Sequence, residues 1–436
     1  MTKEQIKHYL IMAGSTSHML RGDKLLKDKG VYTSLVPAPS EYGTVCATAI
    51  KVKIEDKDRS EKILRDNSIT IEGIYPDKPR KLSGLVDKLI DSVISQEFMD
   101  VLKKIEEGEE LSFEDIVMLL KTERKAEKDA LFHAADRMRK EIVGDVVDIR
   151  GAIEFSNYCR KDCRYCGIRK SLDDLNRYRM DEDEIMEVVH FLHEIGLKTV
   201  ILQSGEDLWW TPDKIASLIK RVKKETRMNI TLSIGERPRE EYELYKKLGA
   251  NNFLLKIEAT NRKLFELIHP DDDYDHRIEC SRWLRELGYL NGSGNIIGLP
   301  GQTVEDIAKD ILFFKEMGIN MIGIGPFVPA KGTPFESYPQ GSIDMTLKAV
   351  AVTRIVCKRV FIPATTALAS LDPDGQTKAL EAGANTIMLI NTPVKYRYNY
   401  QIYSDKNMVD LESAFKAVDE SRRKMPPYLK IRREDI

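Results

Sequence analysis

Three of the six cysteines in this 436-residue chain, Cys159, Cys163 and Cys166, fall within eight positions, while Cys46, Cys280 and Cys357 stand alone. Their spacing is Cys-x-x-x-Cys-x-x-Cys. Three thiolates from one short loop can hold three irons of a four-iron cubane, and with no fourth cysteine close by the last iron stays open to an outside ligand. Such an iron suits direct chelation of a small molecule better than plain electron storage. A zinc site or three unrelated thiols are the competing readings. Structural zinc prefers four Cys/His ligands in paired spacings, and no nearby histidine completes such a set.

Other segments carry residue types that could place a ligand beside such a centre. Gln203-Ser-Gly-Glu-Asp207 joins a glycine, which lets a backbone approach closely, to two carboxylates. Thr231-Leu-Ser-Ile-Gly-Glu236 repeats that logic with the hydroxyl of Ser233. Glu258 and Arg277 offer an acid and a guanidinium that could clamp a zwitterion, or could simply pair with each other. Asp271-Asp-Asp273 lacks the spacing of a calcium loop and reads as a solvated turn. Gly292 to Thr303 holds five Gly or Pro residues in twelve but not the dinucleotide-binding fingerprint.

These motifs need a scaffold, and from about Val147 the pattern is regular. Strands are expected at Val147–Phe155, Thr199–Gln203, Ile230–Ile234, Phe253–Glu258, Gly292–Ile297, Met321–Gly325, Ile362–Thr366 and Thr386–Ile390. Helical segments such as Glu182–Ile195, Asp213–Thr226 and Val304–Met317 lie between them. Eight strand–helix repeats predict an α/β fold, a parallel (β/α)₈ barrel over residues 143–436 with a C-terminal extension. Each motif falls at or just past a strand's C-terminal end, where such barrels do their chemistry. Residues 81–142 read as a helical linker with barrel-leading helices, Ser112 capping one of them, that could cross the barrel mouth. Residues 1–80 read as a separate small α/β unit, with strands at Tyr9–Met12, Val31–Val36, Cys46–Ile54 and Ile69–Ile74 and helices at Ser17–Lys29 and Asp58–Asn67.

Composition narrows the setting. Hydrophobic residues at 42% and charged residues at 32% are those of an ordinary globular protein, and a net charge of −2 gives no field for nucleic acid. No membrane span and no signal peptide are legible, so the cytoplasm is the default address. Six cysteines in a chain of this length make no disulfide framework.

The cysteine spacing resembles the signature of the radical SAM superfamily. That resemblance implies a [4Fe–4S] cluster on Cys159, Cys163 and Cys166 and S-adenosylmethionine (SAM) chelated to the open iron. One electron from the cluster then breaks the sulfonium bond and gives methionine and a 5′-deoxyadenosyl radical. It implies SAM contacts from Tyr165, which otherwise reads as a plain surface aromatic, and from Gly205 and Glu206 in a Gly-Gly-Glu-like motif. Ser233, Glu258, Arg277, Ile296 and Ile297 follow in the same way. Ile149-Arg-Gly-Ala-Ile-Glu-Phe-Ser-Asn157, Gly298-Leu-Pro-Gly-Gln-Thr303, Gly323-Ile-Gly-Pro-Phe-Val-Pro329 and Pro363-Ala-Thr-Thr-Ala367 make the match closer, to the HydE group of maturases that help build the organometallic cofactor of [FeFe]-hydrogenase. Biotin synthase and methylornithine synthase are relatives. The group's internal cavity is matched by Arg150, Thr365, Thr366, Met388 and Tyr400, with Tyr403 toward its SAM end.

The resemblance implies a small-molecule substrate, thiol-bearing or organometallic, and a low-potential electron donor. The chain departs from the group in having no cysteine after Cys357 for an accessory cluster, and in bearing Lys256-Ile257 where Arg-His is common. The N-terminal unit resembles a selenium/sulfur-carrier-like domain through Ser15-Thr-Ser17, Leu35-Val-Pro-Ala-Pro39 and Cys46. Cys46 is then a candidate persulfide or selenide carrier, or a buried packing residue. Cys280 and Cys357, in helical segments, read as buried. The function expected is a radical SAM enzyme of metallocofactor maturation. A mutase or sulfur-inserting enzyme is the alternative within the class, and a non-catalytic iron–sulfur or sulfur-carrier scaffold the alternative outside it.

Overall fold

The computed structural model describes residues 7–14, 16–38, 48–77, 82–86 and 94–435. Cys46, Ser15 and the basic stretch 78–81 lie outside the described residues, so the carrier role expected of Cys46 has no structural account here.

Alternating apolar and polar residues build the first sheet. Strands β1 (His8–Ala13), β2 (Thr33–Pro37), β3 (Thr48–Lys53) and β4 (Ile71–Pro76) lie in the order β2-β3-β1-β4, all antiparallel. Helices Thr16–Asp28 and Lys57–Asp66 close over one face and bury Ile11, Met19, Leu26, Leu35, Ile50, Val52 and Leu64. Ile54, expected as the last residue of this strand, lies past the strand end in an exposed turn.

The second sheet is parallel throughout. Its strands are β5 (Asp148–Ser156), β6 (Thr199–Ser204), β7 (Asn229–Ser233), β8 (Asn252–Leu254), β9 (Leu290–Ile297), β10 (Met321–Pro326) and β11 (Thr386–Ile390), in the order β10-β9-β8-β7-β6-β5-β11. The strand expected at Ile362–Thr366 is replaced by two bridges, Met321↔Phe361 and Pro363↔Thr386. Pro363 has no N–H to give a ladder, yet residues 361–364 bond to both neighbours, Ile322 N–H to Phe361 O and Ala364 N–H to Thr386 O, each at 2.8 Å. The (β/α)₈ ring is thus joined by a stitched segment in place of a regular eighth strand. Strand β8 is also shorter than expected, ending at Leu254; beyond it the chain stays beside β9 through Leu255 N–H to Gly292 O at 3.0 Å and a single bridge at Glu258.

Along β5, Ile149, Ile153 and Phe155 pack outward in the core shared with the helices, whereas Ala152 packs inward with Ile201, Met388 and Ile390. The even-numbered residues Arg150 and Glu154 therefore also face the lumen, up to a bulge that shifts the register before Ser156.

The helices of residues 96–143 do not cross the barrel mouth. Phe113–Lys121, started by a Ser112/Asp115 capping box, and Lys125–Val143 pack along the flank on Val304–Glu316 and Ile343–Cys357. Their apolar faces, including Ile116, Leu119, Leu131 and Ala134, join the barrel's own core. The small N-terminal unit sits at the N-terminal ends of the barrel strands, where Asn320 Nδ2 donates to Leu35 O at 2.7 Å and Arg359 pairs with Asp77 at 3.2 Å. Cys280 is buried as expected, but Cys357, at its helix end, is only half-buried. Among the described residues no helix is long and apolar enough to cross a membrane.

Candidate active site

The loop that leaves β5 brings Cys159, Cys163 and Cys166 together as three free, half-buried thiols. Burial pushes all three up, Cys166 to about 12; neighbouring thiols add to this at Cys163 and Cys166, and the Glu206 charge does so at Cys159. Such thiols stay protonated until a metal displaces the protons. The loop is fitted to its neighbours at a point where only glycine is tolerated. A Cβ on Gly205 would lie 2.2 Å from Tyr158 O and 2.8 Å from Cys159 Cβ. With glycine there, the next amide, Glu206 N–H, reaches Cys159 Sγ at 3.3 Å, a contact of the kind that tunes cluster thiolates.

A charge network surrounds the loop. Glu206 takes Arg160 Nε at 2.5 Å on one oxygen and the Glu236 amide at 3.0 Å on the other. Lys161 bridges Asp272 at 2.6 Å and Glu236 at 3.2 Å. Arg277 is gripped by Glu236 at 2.5 Å and by Asp272, and donates to Lys256 O at 2.7 Å. Burial opposes the Arg277 charge, but Glu236 and Asp272 outweigh it and hold the guanidinium charged. Glu258 is not Arg277's partner; its Oε2 lies 2.8 Å from Lys256 Nζ. Asp272, expected in a solvated turn, is 2% exposed and part of this network, because Arg277 and Lys161 both converge on it. Sequence reading missed Arg160, Lys161 and Asp272; nothing in their local spacing marks them.

Glu258 has φ +61, a backbone state that β-branched and most other side chains avoid, at the C-terminal end of a barrel strand. Strain of this kind is kept where a site needs it. Asp310 fixes both sides of this turn by accepting from Thr260 N–H at 2.8 Å and Asn295 Nδ2 at 2.9 Å. Burial pushes the Asp310 carboxyl up to about 6. An acid raised on folding gives stability that is lost as pH climbs from its unfolded value near 4 to about 6. Asp310→Asn should remove that slope. Denaturant titrations at pH 4 and pH 7 should show the wild type losing roughly 3 kcal/mol relative to the variant.

Tyr165 and Ile296 face the same apolar patch. They pack on one apolar cluster with Ala259, Leu264, Leu299 and Phe327, and Tyr165 OH lies 3.1 Å from His269 Nε2. Burial and the Arg277 charge lower His269 to about 3, so its ring is neutral at working pH. Ile297, the neighbouring candidate, points the other way into the core between strands and helices. Ser233 ends β7 in register with Gln203.

The candidate substrate residues fall on two levels. Near the top of the lumen, Gln203 Nε2 reaches Tyr400 OH at 3.4 Å, Tyr403 OH donates to Thr366 Oγ1 at 3.0 Å, and Thr365 Oγ1 donates to Ile324 O at 3.3 Å. Arg150 and Met388 are paired in register lower down. Six residue steps lead from Arg150 to Ser156, about 20 Å at strand rise, so one small molecule does not touch Arg150 and the cysteine loop together. Arg150 is held by Asp148 at 2.6 Å and Met321 Sδ at 3.2 Å, over the Phe361 ring.

A three-thiol loop cradled by glycine, with an amide on one sulfur, fits a cubane of iron and sulfide, and the apolar cluster beside it fits a flat base. The radical SAM superfamily model matches residues 153–314, and a Se/S carrier protein-like model matches residues 8–76. The [FeFe] hydrogenase maturase subunit HydE of Thermotoga maritima is 44% identical over 307 residues, covering 70% of this chain and 88% of that protein. The 3-methylornithine synthase of Methanosarcina acetivorans is 29% identical over 322 residues, covering 73% and 91%. A crystal structure of methylornithine synthase superposes with a TM-score of 0.69 at 26% identity, covering 75% of this chain and 98% of that one. With the cysteine loop at the end of β5 and this degree of likeness along the barrel, the chain belongs to the HydE family of radical SAM enzymes, which use a [4Fe–4S] cluster and SAM.

Proposed function

We propose that this enzyme matures a metallocofactor by acting on a small thiol-bearing or organometallic substrate held in the barrel lumen. When bound, the cluster and SAM supply a 5′-deoxyadenosyl radical. The chain's own residues then have separable tasks. Cys159, Cys163 and Cys166 hold the cluster, and the Gly205–Glu206 turn keeps their loop in place. Tyr165 and Ile296 form the apolar side against which the adenine lies. Glu258, aimed by its strained backbone, meets the amino-acid end of SAM. Arg277 acts less as a direct ligand than as the post that fixes Lys256, Glu236 and Asp272 around that end.

The observation that carries the substrate reading is the upper lumen. Gln203, Tyr400, Thr365, Thr366 and Tyr403 line it with hydroxyl and amide groups, above a floor made by Ala152, Ile201, Met388 and Ile390. Small polar molecules with a soft sulfur suit hydroxyl donors over a methionine-bearing apolar floor. Local ordering of this kind also serves to exclude water from a radical.

The test is anaerobic. Reconstituted protein given dithionite and SAM should form 5′-deoxyadenosine, and small thiols such as cysteine should raise the rate several-fold. A rate indifferent to every thiol offered would overturn the substrate reading while leaving the SAM chemistry in place.

A further inference from the structure

The loop that leaves β6 turns one tryptophan in and its neighbour out. Trp210 is buried and sets its ring edge-on against Phe155, with 4.9 Å between centroids. Trp209 is 46% exposed and Leu208 is 56% exposed, side by side on the barrel rim. Trp209 is not loose. Its N–H donates to Asp207 Oδ1 at 3.0 Å, and its ring meets two cations, Lys214 Nζ at 3.0 Å and the Arg179 guanidinium at 5.3 Å. Arg179 also covers the Tyr158 ring at 3.6 Å, and Tyr158 directly precedes Cys159.

This patch is therefore close to a cluster ligand. Glu206 N–H reaches Cys159 Sγ at 3.3 Å, and Trp209 is three residues further on, at most about 11 Å of chain. From Trp209 a basic stripe runs along the helix Pro212–Glu225. Lys214, Lys220 and Lys224 lie on the side turned away from the core, over about 15 Å, and among the described residues none of the three is paired with a carboxylate. The acids on that side are Asp213 and Glu225, and Glu225 is taken by His190 and Arg221. Arg221 itself is held by Glu182 and Asp183. The stripe thus keeps an excess of positive charge.

We propose that Leu208, Trp209 and the lysines of Pro212–Glu225 form the docking face for a small acidic electron-transfer protein of low potential, which delivers its electron to the cluster at Cys159. One electron leaves the donor and enters the cluster, and no bond or proton moves in that step. Electron transfer falls off steeply with distance, so a donor has to sit where an exposed surface comes near a ligand sulfur, and this loop brings the two together. Transient redox encounters bury little surface and are guided by charge, so two apolar groups beside a row of cations are sufficient. The inference does not depend on which substrate the lumen holds.

Binding and electron delivery are measured separately. Cluster-loaded protein is titrated by calorimetry with a two-cluster bacterial ferredoxin and with a flavodoxin, both acidic. Formation of 5′-deoxyadenosine from SAM is then driven either by the reduced form of whichever binds or by dithionite. Trp209→Ala should weaken donor binding about tenfold. Lys214→Glu, Lys220→Glu and Lys224→Glu together should weaken it at least as much at low salt and less at high salt. In both variants the donor-driven rate at low donor should fall with the affinity, while the dithionite-driven rate stays at the wild-type value. The same reversals at Lys62, Lys103 and Lys309, exposed on other elements, should leave donor binding near that of the wild type. Donor binding that survives both rim variants overturns the assignment, as does an equal loss from the reversals elsewhere or a dithionite-driven rate that falls in step. A wild type that binds neither donor overturns it too, and leaves the substrate reading standing.

Discussion

Replacing Cys163 with serine should strip the protein of its cluster and bring SAM cleavage down to the background of a protein-free mixture. A serine hydroxyl does not ionise near neutral pH and offers a hard oxygen where the irons need a soft thiolate. Two remaining thiols can bind at most two cubane corners, which is too few to retain the cluster against chelators. The effect is all-or-none because the loop has no spare ligand: Cys280 and Cys357 lie in helices away from it. Iron and sulfide analysis, with 5′-deoxyadenosine formation as the second readout, measures it. Cys357→Ala is the control and should keep its iron, since that thiol sits at the end of a flank helix near Ile311 O. Full iron content in Cys163→Ser would remove the basis of the site.

The second large effect belongs to Lys406→Met. Lys406 and Glu154 form an ion pair inside the barrel, 1% and 2% exposed, and Thr392 Oγ1 adds a hydrogen bond to the same carboxylate at 3.2 Å. Burial raises the Glu154 carboxyl even though Lys406 pulls it down, a sign of how little water reaches it. Removing only the lysine leaves a buried acid without its counter-charge, and such losses run to about 3–5 kcal/mol. Denaturant unfolding should show that loss, and Glu154→Gln combined with Lys406→Met should recover most of it. Lys406 Nζ also reaches Tyr400 O at 3.3 Å, so the single variant should loosen the segment that presents Tyr400 and Tyr403 to the lumen. A loss under about 1 kcal/mol in the single variant would mean that the pair is solvated and not a latch.

How much of this could be read from the chain alone depended on whether the information was local. The cysteine loop was legible because its three ligands lie within eight positions, and the ends of β6 and β7 were legible because the motifs Gln203–Asp207 and Thr231–Glu236 each carry their own glycine and acid. The charge network was not. Arg160, Glu206 and Glu236 come from three separate strand-to-helix segments, Asp272 and Arg277 from the turn into a later helix, and nothing local says that Asp272, one of three consecutive aspartates, turns inward. Ile296 and Ile297 were equal candidates on paper, and only the phase of β9, set by its pairing with β10, decides that Ile296 faces the site. The eighth strand failed at Pro363, where the pattern of apolar residues was right but a missing N–H cut the ladder. The flank helices were recognisable as helices, but which surface they cover is a tertiary fact.

The seam between the two units has a consequence for how the chain can be divided. Leu290, the first residue of β9, packs against the core of the small N-terminal unit. The boundary drawn by sequence at residue 80 is therefore not a clean cut through solvent. Excising the leading residues would leave an oily spot and the bare Asn320 amide on the underside of the barrel, and the severed piece would lose a wall of its interior.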